Sequence, residues 1–154
     1  MAGPENPHEI VARLVQTSGL HHVGIAVESI EESRTFYETI LGLVCVGEDE
    51  VIEQQVKVAM FQPASQGDAP RIELLEPMND ASPIARHLQR RGSGLHHLAY
   101  SVTGIEGHLA KLIEAGVKLI DESPRIGAHG MKIAFLHPKS AGGVLIELCE
   151  PQDE

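Results

Sequence analysis

The chain has 154 residues, enough for one domain or two small, closely packed halves, and its 42% apolar content is ordinary for a globular core. A formal net charge of −10, with no Lys/Arg cluster interleaved with aromatics, argues against nucleic acid as a partner. No run approaches the ~18 uninterrupted apolar residues of a membrane span, the N-terminus (MAGPENPHEI) has neither a signal core nor a transit pattern, and Cys45 and Cys149 show no CxxC spacing, so a cytoplasmic protein with reduced core cysteines is expected.

In chain order, Pro4 and Pro7 keep the first residues irregular, and Ile10, Val11, Leu14 and Val15 give the pattern of a short helix over 8–16, within an N-terminal extension of residues 1–18. Val23, Ile25 and Val27 then alternate with Gly24 and Ala26, the period of a strand. Ser29 with Glu32 reads as a capping box opening a helix through about Leu41, stopped by Gly42. Strand-forming runs follow at 43–46, 55–61 and 71–75. Ser82 caps and Pro83 starts a linker helix through about Arg91, ended by Gly92. The second half repeats the order: Leu98, Tyr100 and Val102 alternate with Ala99 and Ser101, Thr103 with Glu106 caps a helix ending near Gly116, and runs at 117–120, 131–136 and 144–149 read as strands. The expected fold is α+β, with two βαβββ modules (residues 19–92 with the linker helix, and 93–154) forming a cupped mixed sheet with helices outside.

The halves also repeat in letter. GLHHVGIAV (19–27) returns as GLHHLAYSV (94–102) at an offset of 75, and IELLEP (72–77) returns as IELCEP (146–151) at an offset of 74. Modules related by an approximate two-fold axis would bring His22, Glu73, His97 and Glu147 to a common centre. Neighbours in a strand point to opposite faces, so His22 goes with Gly24 and Ala26, and His97 with Ala99 and Ser101, which leaves room for a cavity on the concave side. His21 and His96 share the bulky, helix-packed face and read as supporting groups. A carboxylate buried in a strand needs a partner, and two imidazoles with two carboxylates satisfy one another around one divalent ion. Such a set leaves two positions of an octahedral metal open, which suits Co²⁺, Mn²⁺, Ni²⁺, Fe²⁺ or Mg²⁺ better than a closed thiolate zinc site, and a substrate chelating there through two oxygens is polarised toward an enolate or enediolate.

These residues resemble the vicinal oxygen chelate superfamily (glyoxalase, bleomycin resistance protein, dioxygenase) over roughly residues 19–150, and within it the methylmalonyl-CoA epimerases. Beyond the repeat, the likeness rests on IGAHG (126–130), FLHPKSAGGVLIEL (135–148), NDASPIARHL (79–88) and IEQQV (52–56). The resemblance implies that His22, Glu73, His97 and Glu147 hold the metal. Some family members carry Gln at the position of Glu73, and a Glu there makes the metal a weaker Lewis acid. Glu53 matches the family's catalytic glutamate, with Glu147 as the second acid/base, although the family more often has Gly where Gln55 stands. Lys139, Lys132 and Arg125 become the candidate contacts to an acyl-CoA substrate, and the resemblance implies a homodimer. A glyoxalase I-like lyase acting on a glutathione hemithioacetal, and a non-catalytic small-molecule binder, are the alternative readings.

Overall fold

A computed structural model describes residues 13–65, 67 and 69–152. Strand β1 (Gly19–Ala26) leads into helix α1 (Ile30–Thr35), which runs on as a single π turn (Phe36–Ile40). Strand β2 (Leu43–Val51), a 3₁₀ turn (Ile52–Gln54), β3 (Val56–Pro63) and β4 (Arg71–Pro77) complete the first half. Helix α2 (Pro83–Arg91) then connects to β5 (Gly94–Ser101), α3 (Ile105–Glu114), β6 (Arg125–Ile126), β7 (Lys132–Leu136) and β8 (Ile146–Glu150). All eight strands form one curled mixed sheet in the order β2-β3-β4-β1-β5-β8-β7-β6.

The order displays the repeat. Each first strand pairs in parallel with the last strand of its own half, β1 with β4 and β5 with β8, while β1 and β5 join the halves in antiparallel. The two His-bearing strands are thus the central pair. One face of the sheet packs on the helices: Ile25, Val27, Phe61 and Leu74 lie with Ile30 and Tyr37, and Tyr100, Ala134 and Leu148 lie with Ile105, Leu109 and Leu112. On the opposite, concave face Ile84 and Leu88 of α2 pack against Val56, Val58 and Leu75, so the linker helix plugs one end of the cup. No helix among the described residues is long and apolar enough to cross a membrane.

Helix starts are fixed by side chains that the repeat duplicates. Ser29 Oγ accepts from the Glu32 amide (3.2 Å), and Ser82 Oγ, fully buried, accepts from the Ile84 amide (3.2 Å), both as expected. Thr103 does not cap α3. Gly104 takes the N-cap position in a left-handed conformation, and the Glu150 carboxylate accepts from the amides of Gly104 (2.6 Å) and Ile105 (3.3 Å). Glu76, the equivalent residue of the first half, accepts from the Ile30 amide (2.8 Å). An acid at the end of each module's last strand therefore closes that module's own helix, where the amides are unpaired and the helix dipole favours negative charge.

Two further expectations are corrected. Residues 117–120 make only an isolated bridge, Leu119 to Leu136, because the Ile120 and Asp121 amides both donate to the single Phe135 carbonyl and no ladder can continue. The edge strand of this half is instead the two-residue β6. Of the helix expected over 8–16, residues 8–12 lie outside the described residues, and Arg13, Leu14, Val15 and Gln16 are not helical; Leu14 and Val15 pack against the α3 core.

Candidate metal centre

Alternation along β1 buries His22, Gly24 and Ala26 on the concave side, and alternation along β5 buries His97 and Ala99. The register does the rest. Across the central seam His22 faces Ala99 and Gly24 faces His97, while the parallel neighbours set Glu73 beside Gly24 and Glu147 beside Ala99. One very small residue thus lies between the imidazole and the carboxylate of each set. At Gly24 this is obligatory, since a Cβ there would stand 2.7 Å from His97 Nε2 and nearer still to the ring's Cε1 and Nδ1.

The four side chains converge. His22 Nε2 lies 3.2 Å from His97 Nε2, 3.3 Å from Glu147 Oε2 and 3.7 Å from Glu73 Oε1, and His97 Nε2 lies 3.9 Å from Glu73 Oε1. All four residues are buried, and the ligand atoms of His22, His97 and Glu147 fall within 4.8 Å of one another. Glu147 Oε2 has no hydrogen-bond partner although it is buried. An orphaned carboxylate oxygen facing two imidazole nitrogens is a poor arrangement for a dry interior and a good one for a divalent cation, so the donor set fits.

The protonation equilibria describe the same strain. Burial lowers His22, but Glu147 and Glu73 outweigh it and raise the imidazole above its ordinary value. Burial, then His22 and His96, drive His97 well below its own. Burial lifts the Glu73 carboxyl to about 7, with His22 pulling it back and Glu147 adding to the rise. Protons thus occupy the centre that a cation would compete for.

Behind each ligand imidazole stands the preceding histidine: His21 Nδ1 is 2.8 Å from His22 Nδ1, and His96 Nδ1 is 2.9 Å from His97 Nδ1. Burial, then His22, holds His21 at about 4, and burial, then His87, holds His96 at about 4, so both are neutral at pH 7. Nε2 of His22 and His97 can then bind a metal while their Nδ1–H groups donate to these neutral neighbours, which orients both rings. Cys149 Sγ also lies within 4.8 Å of His21 and His22 ligand atoms, but it donates to the Tyr100 carbonyl (3.6 Å), and burial, then Glu147, pushes its thiol up to about 12. It belongs to the core, as its apolar context predicted.

A narrow cavity of about 40 Å³ adjoins the ligands, walled by Val56, Val58, Met131 and Phe135, with Gln54 and His96 at its margins. Glu53 does not line it. That side chain is exposed on the 3₁₀ turn, one residue before Gln54, and the Gln54 carbonyl accepts from Ser82 Oγ (3.3 Å). Gln55, where the resemblance leads one to expect Gly, occupies the left-handed conformation at φ 52°. Lys132 Nζ meets Glu106 Oε1 at 2.8 Å and Arg125 Nε meets Asp121 Oδ1 at 3.1 Å, so both are paired with acids; neither lines the cavity, although the Arg125 guanidinium lies over the ring of its wall residue Phe135, 6.0 Å from the centroid, and Lys139 lies on the 3₁₀ turn Pro138–Ala141. Gln54 and Phe135 fall within IEQQV and FLHPKSAGGVLIEL, the runs that carry the resemblance, but nothing in their residue type singles them out as cavity residues. Glu76 and Glu150, which close the two helix starts, do carry a signal for their own role, since they recur within IELLEP and IELCEP.

The chain is similar to known proteins over most of its length. The profile of the Glyoxalase/Bleomycin resistance protein/Dioxygenase superfamily matches residues 21–135. A Bacillus subtilis protein named only as uncharacterised is 45% identical over 135 residues, which is 88% of this chain and 94% of that one. The crystal structure of methylmalonyl-CoA epimerase from Mycobacterium tuberculosis is similar at 38% identity and a TM-score of 0.84 over 95% of each chain. A variant of Streptomyces coelicolor methylmalonyl-CoA epimerase in complex with 2-nitronate-propionyl-CoA is 32% identical, with a TM-score of 0.82 over 88% of this chain and 96% of that one.

Proposed function

The chain belongs to the glyoxalase/bleomycin resistance protein/dioxygenase superfamily, and on that premise we propose that it is an isomerase that epimerises C2 of methylmalonyl-CoA. The observation that carries this reading is the convergence of His22, His97, Glu147 and Glu73 on one buried point at the seam of the repeat, in a chain so similar to epimerases of that name. Those four residues would hold a divalent cation, Co²⁺ in the first instance, which would supply stabilisation of the negative charge that develops on the substrate.

The rest is the work of side chains. C2 of the substrate lies between a carboxylate and a thioester carbonyl, which already acidifies its proton. Inversion needs removal of that proton on one face and delivery on the other, hence two carboxylates on opposite sides of C2. Glu147 is within the cavity, and its orphaned Oε2 favours a role at the reacting centre. Glu53 is the second carboxylate, carried on a turn whose next residue reaches the cavity wall and whose backbone is tied to the α2 N-cap through Ser82. Val56, Val58, Met131 and Phe135 keep water from competing for the carbanionic state.

The test is to incubate the Co²⁺-loaded protein with one C2 epimer of methylmalonyl-CoA in D₂O. Deuterium entry at C2 with appearance of the other epimer is the expected result. Absence of both, with turnover of methylglyoxal and glutathione, transfers the chain to the lyases of the superfamily. Glu53→Gln is expected to keep the metal and the fold and to slow exchange by about 10²–10⁴-fold; wild-type exchange in that variant removes Glu53 from the chemistry.

A further inference from the structure

The two histidine pairs are built alike but not surrounded alike. Each sits at a bulge: the register between β1 and β5 passes from Leu20 to His22 and from His97 to Leu95, leaving His21 and His96 out of the pairing. A bulge re-aims its extra residue, so His21 and His96 stand beside the ligand imidazoles instead of on the helix-packed face where strict alternation would put them. The Nδ1–Nδ1 contacts of 2.8 Å and 2.9 Å are the result. Beyond those contacts the halves diverge. Arg71 opens β4, whereas Leu145 stands at the same place in the second half, 74 residues on. Arg71 Nη1 lies 3.3 Å from His21 Nε2, and Arg71 Nε donates to Gln62 Oε1 at 3.2 Å. His96 instead meets the His87 ring edge-on, with 4.9 Å between centroids.

Counting protons shows what the difference does. A guanidinium only donates, so with Arg71 on its Nε2 a neutral His21 keeps its single N–H at Nδ1 and donates it to His22 Nδ1. His22 then carries its own proton on Nε2, the nitrogen that faces Glu147 Oε2 at 3.3 Å and Glu73 Oε1 at 3.7 Å. A protonated Nε2 has no lone pair for a cation. Ligation needs the reverse order, with the His22 proton on Nδ1, donated to His21 Nδ1, and the His21 proton on Nε2. No proton is gained or lost; two protons change nitrogen. The new His21 N–H would point at Arg71 Nη1, donor against donor. Leu145, in the place of Arg71, opposes no such change at His96 and His97.

We propose that Arg71 is a positioning residue that acts through His21 to hold His22 in the tautomer that rejects a metal, so that a cation entering at His22 must expel the guanidinium from His21. The centre is therefore half prepared, with His97 ready and His22 latched. The expelled guanidinium has room, because Arg71 borders two cavities of about 350 and 550 Å³, neither of them lined by α2. The proposal rests on the metal-binding part of the functional reading and is independent of the substrate.

The experiment compares wild type, Arg71→Met, His21→Ala and the double variant by calorimetric Co²⁺ titration at about 0.15 M salt. Met keeps most of the side-chain length and removes the donors. Arg71→Met is expected to bind Co²⁺ about tenfold more tightly, the worth of a hydrogen bond that no longer has to break. A residue that merely supported the fold would weaken binding when lost. Removing a positive charge also favours a cation, so the gain should shrink to about twofold or less once His21 is Ala. The tautomers give a second readout. Long-range proton–nitrogen NMR in alkaline buffer should show metal-free wild type with His21 protonated at Nδ1 and His22 at Nε2. With diamagnetic Zn²⁺ bound, His22 should be protonated at Nδ1 and His21 at Nε2. Unchanged or weaker Co²⁺ binding by Arg71→Met, a full gain that persists in the His21→Ala background, or His21 already protonated at Nε2 in metal-free wild type would each overturn the proposal. Wild type that binds no Co²⁺ removes the metal reading and the latch with it. If Arg71→Met binds Co²⁺ more tightly but wild type shows no C2 exchange, the latch stands and the epimerase reading falls. Melting temperatures in chelator control for folding, and the NMR measurement on wild type decides the matter should Arg71→Met not fold.

Discussion

Gly24→Ala tests the site through a single methyl group. The added Cβ would lie 2.7 Å from His97 Nε2 and closer to two other ring atoms, whereas ordinary carbon contacts lie near 3.5–4.0 Å. The ring must therefore retreat by roughly 1 Å, and retreat is blocked behind it by His96, whose Nδ1 is 2.9 Å from His97 Nδ1. Metal–ligand bonds tolerate about ±0.2 Å, so a displacement of that size removes His97 from the metal. Co²⁺ affinity should fall about 100-fold or more, at the upper end of what loss of a supporting group costs. Overpacking should destabilise the chelated protein by about 1–3 kcal/mol, or roughly 2–12 °C in Tm for a chain of this size. Calorimetric Co²⁺ titration reads the first effect, and thermal unfolding in chelator reads the second. The double variant Gly24→Ala/His97→Ala isolates the clash: once the ring is gone, adding the methyl should cost almost nothing. Co²⁺ binding by Gly24→Ala within about threefold of wild type would refute the argument, because the ring would then not need the space that the glycine leaves.

Other expectations follow from the same geometry. Ser82→Ala removes both the cap on Ile84 and the tie to the Gln54 carbonyl, and should lower stability by about 1–2 kcal/mol in denaturant unfolding; a loss under about 0.5 kcal/mol would make the buried hydroxyl irrelevant. Gln55→Gly should be neutral or stabilising by up to about 1 kcal/mol, since it relieves a left-handed non-glycine residue while adding freedom to the unfolded chain. A drop of more than that would mean the Gln55 side chain holds the turn. Metal-free protein should lose stability as pH falls from 6.5 toward 4.5. His21 and His96, each held at about 4, and His97, also lowered, are neutral when folded and take up protons on unfolding, so their contribution is present above 6.5 and is lost on acidification. Glu73, raised to about 7, works in the opposite sense over that window, and His22, raised above its ordinary value, does so at the window's upper edge, so two groups oppose three and one of the two acts only near pH 6.5. The net loss is on the order of a few kcal/mol, and a melting temperature that holds or rises from pH 6.5 to 4.5 would contradict it.

What the sequence disclosed, and what it did not, follows from where each interaction is decided. The strands of the candidate metal centre were legible because a buried polar residue in a period-two pattern needs a reason, and the pattern recurred at a fixed offset. The small neighbours Gly24 and Ala99 were legible as room for a cavity, although only the register across β1 and β5 turns Gly24 into a requirement for His97 in the other half. The failures concern partners distant in sequence. Thr103 and Glu106 satisfy the local rule for a capping box, but Glu150, folded back from β8, delivers a full carboxylate to the same amides and leaves the threonine without that task. The run at 117–120 has strand propensity, yet strand formation depends on what Phe135 can accept, which no local pattern records.

The repeat itself now has a sharper physical meaning. In IELLEP and IELCEP the first glutamate of each run, Glu73 or Glu147, turns into the cup, and the last, Glu76 or Glu150, turns out to close a helix start. Residues three apart in a strand lie on opposite faces, so the spacing requires one glutamate in and one out. The outer glutamate fixes the module's helix against its last strand and so fixes the strand that carries the inner one. Removing the outer carboxylates should therefore be felt at the metal. Glu76→Gln is expected to weaken Co²⁺ binding modestly, by about tenfold or less, together with a stability loss of about 0.5–2 kcal/mol from the weakened cap, read by calorimetry and denaturant unfolding. A variant that loses the stability but keeps wild-type Co²⁺ affinity would show that the cup holds its shape without the caps, and that the two glutamates of each run are coupled in sequence but not in energy.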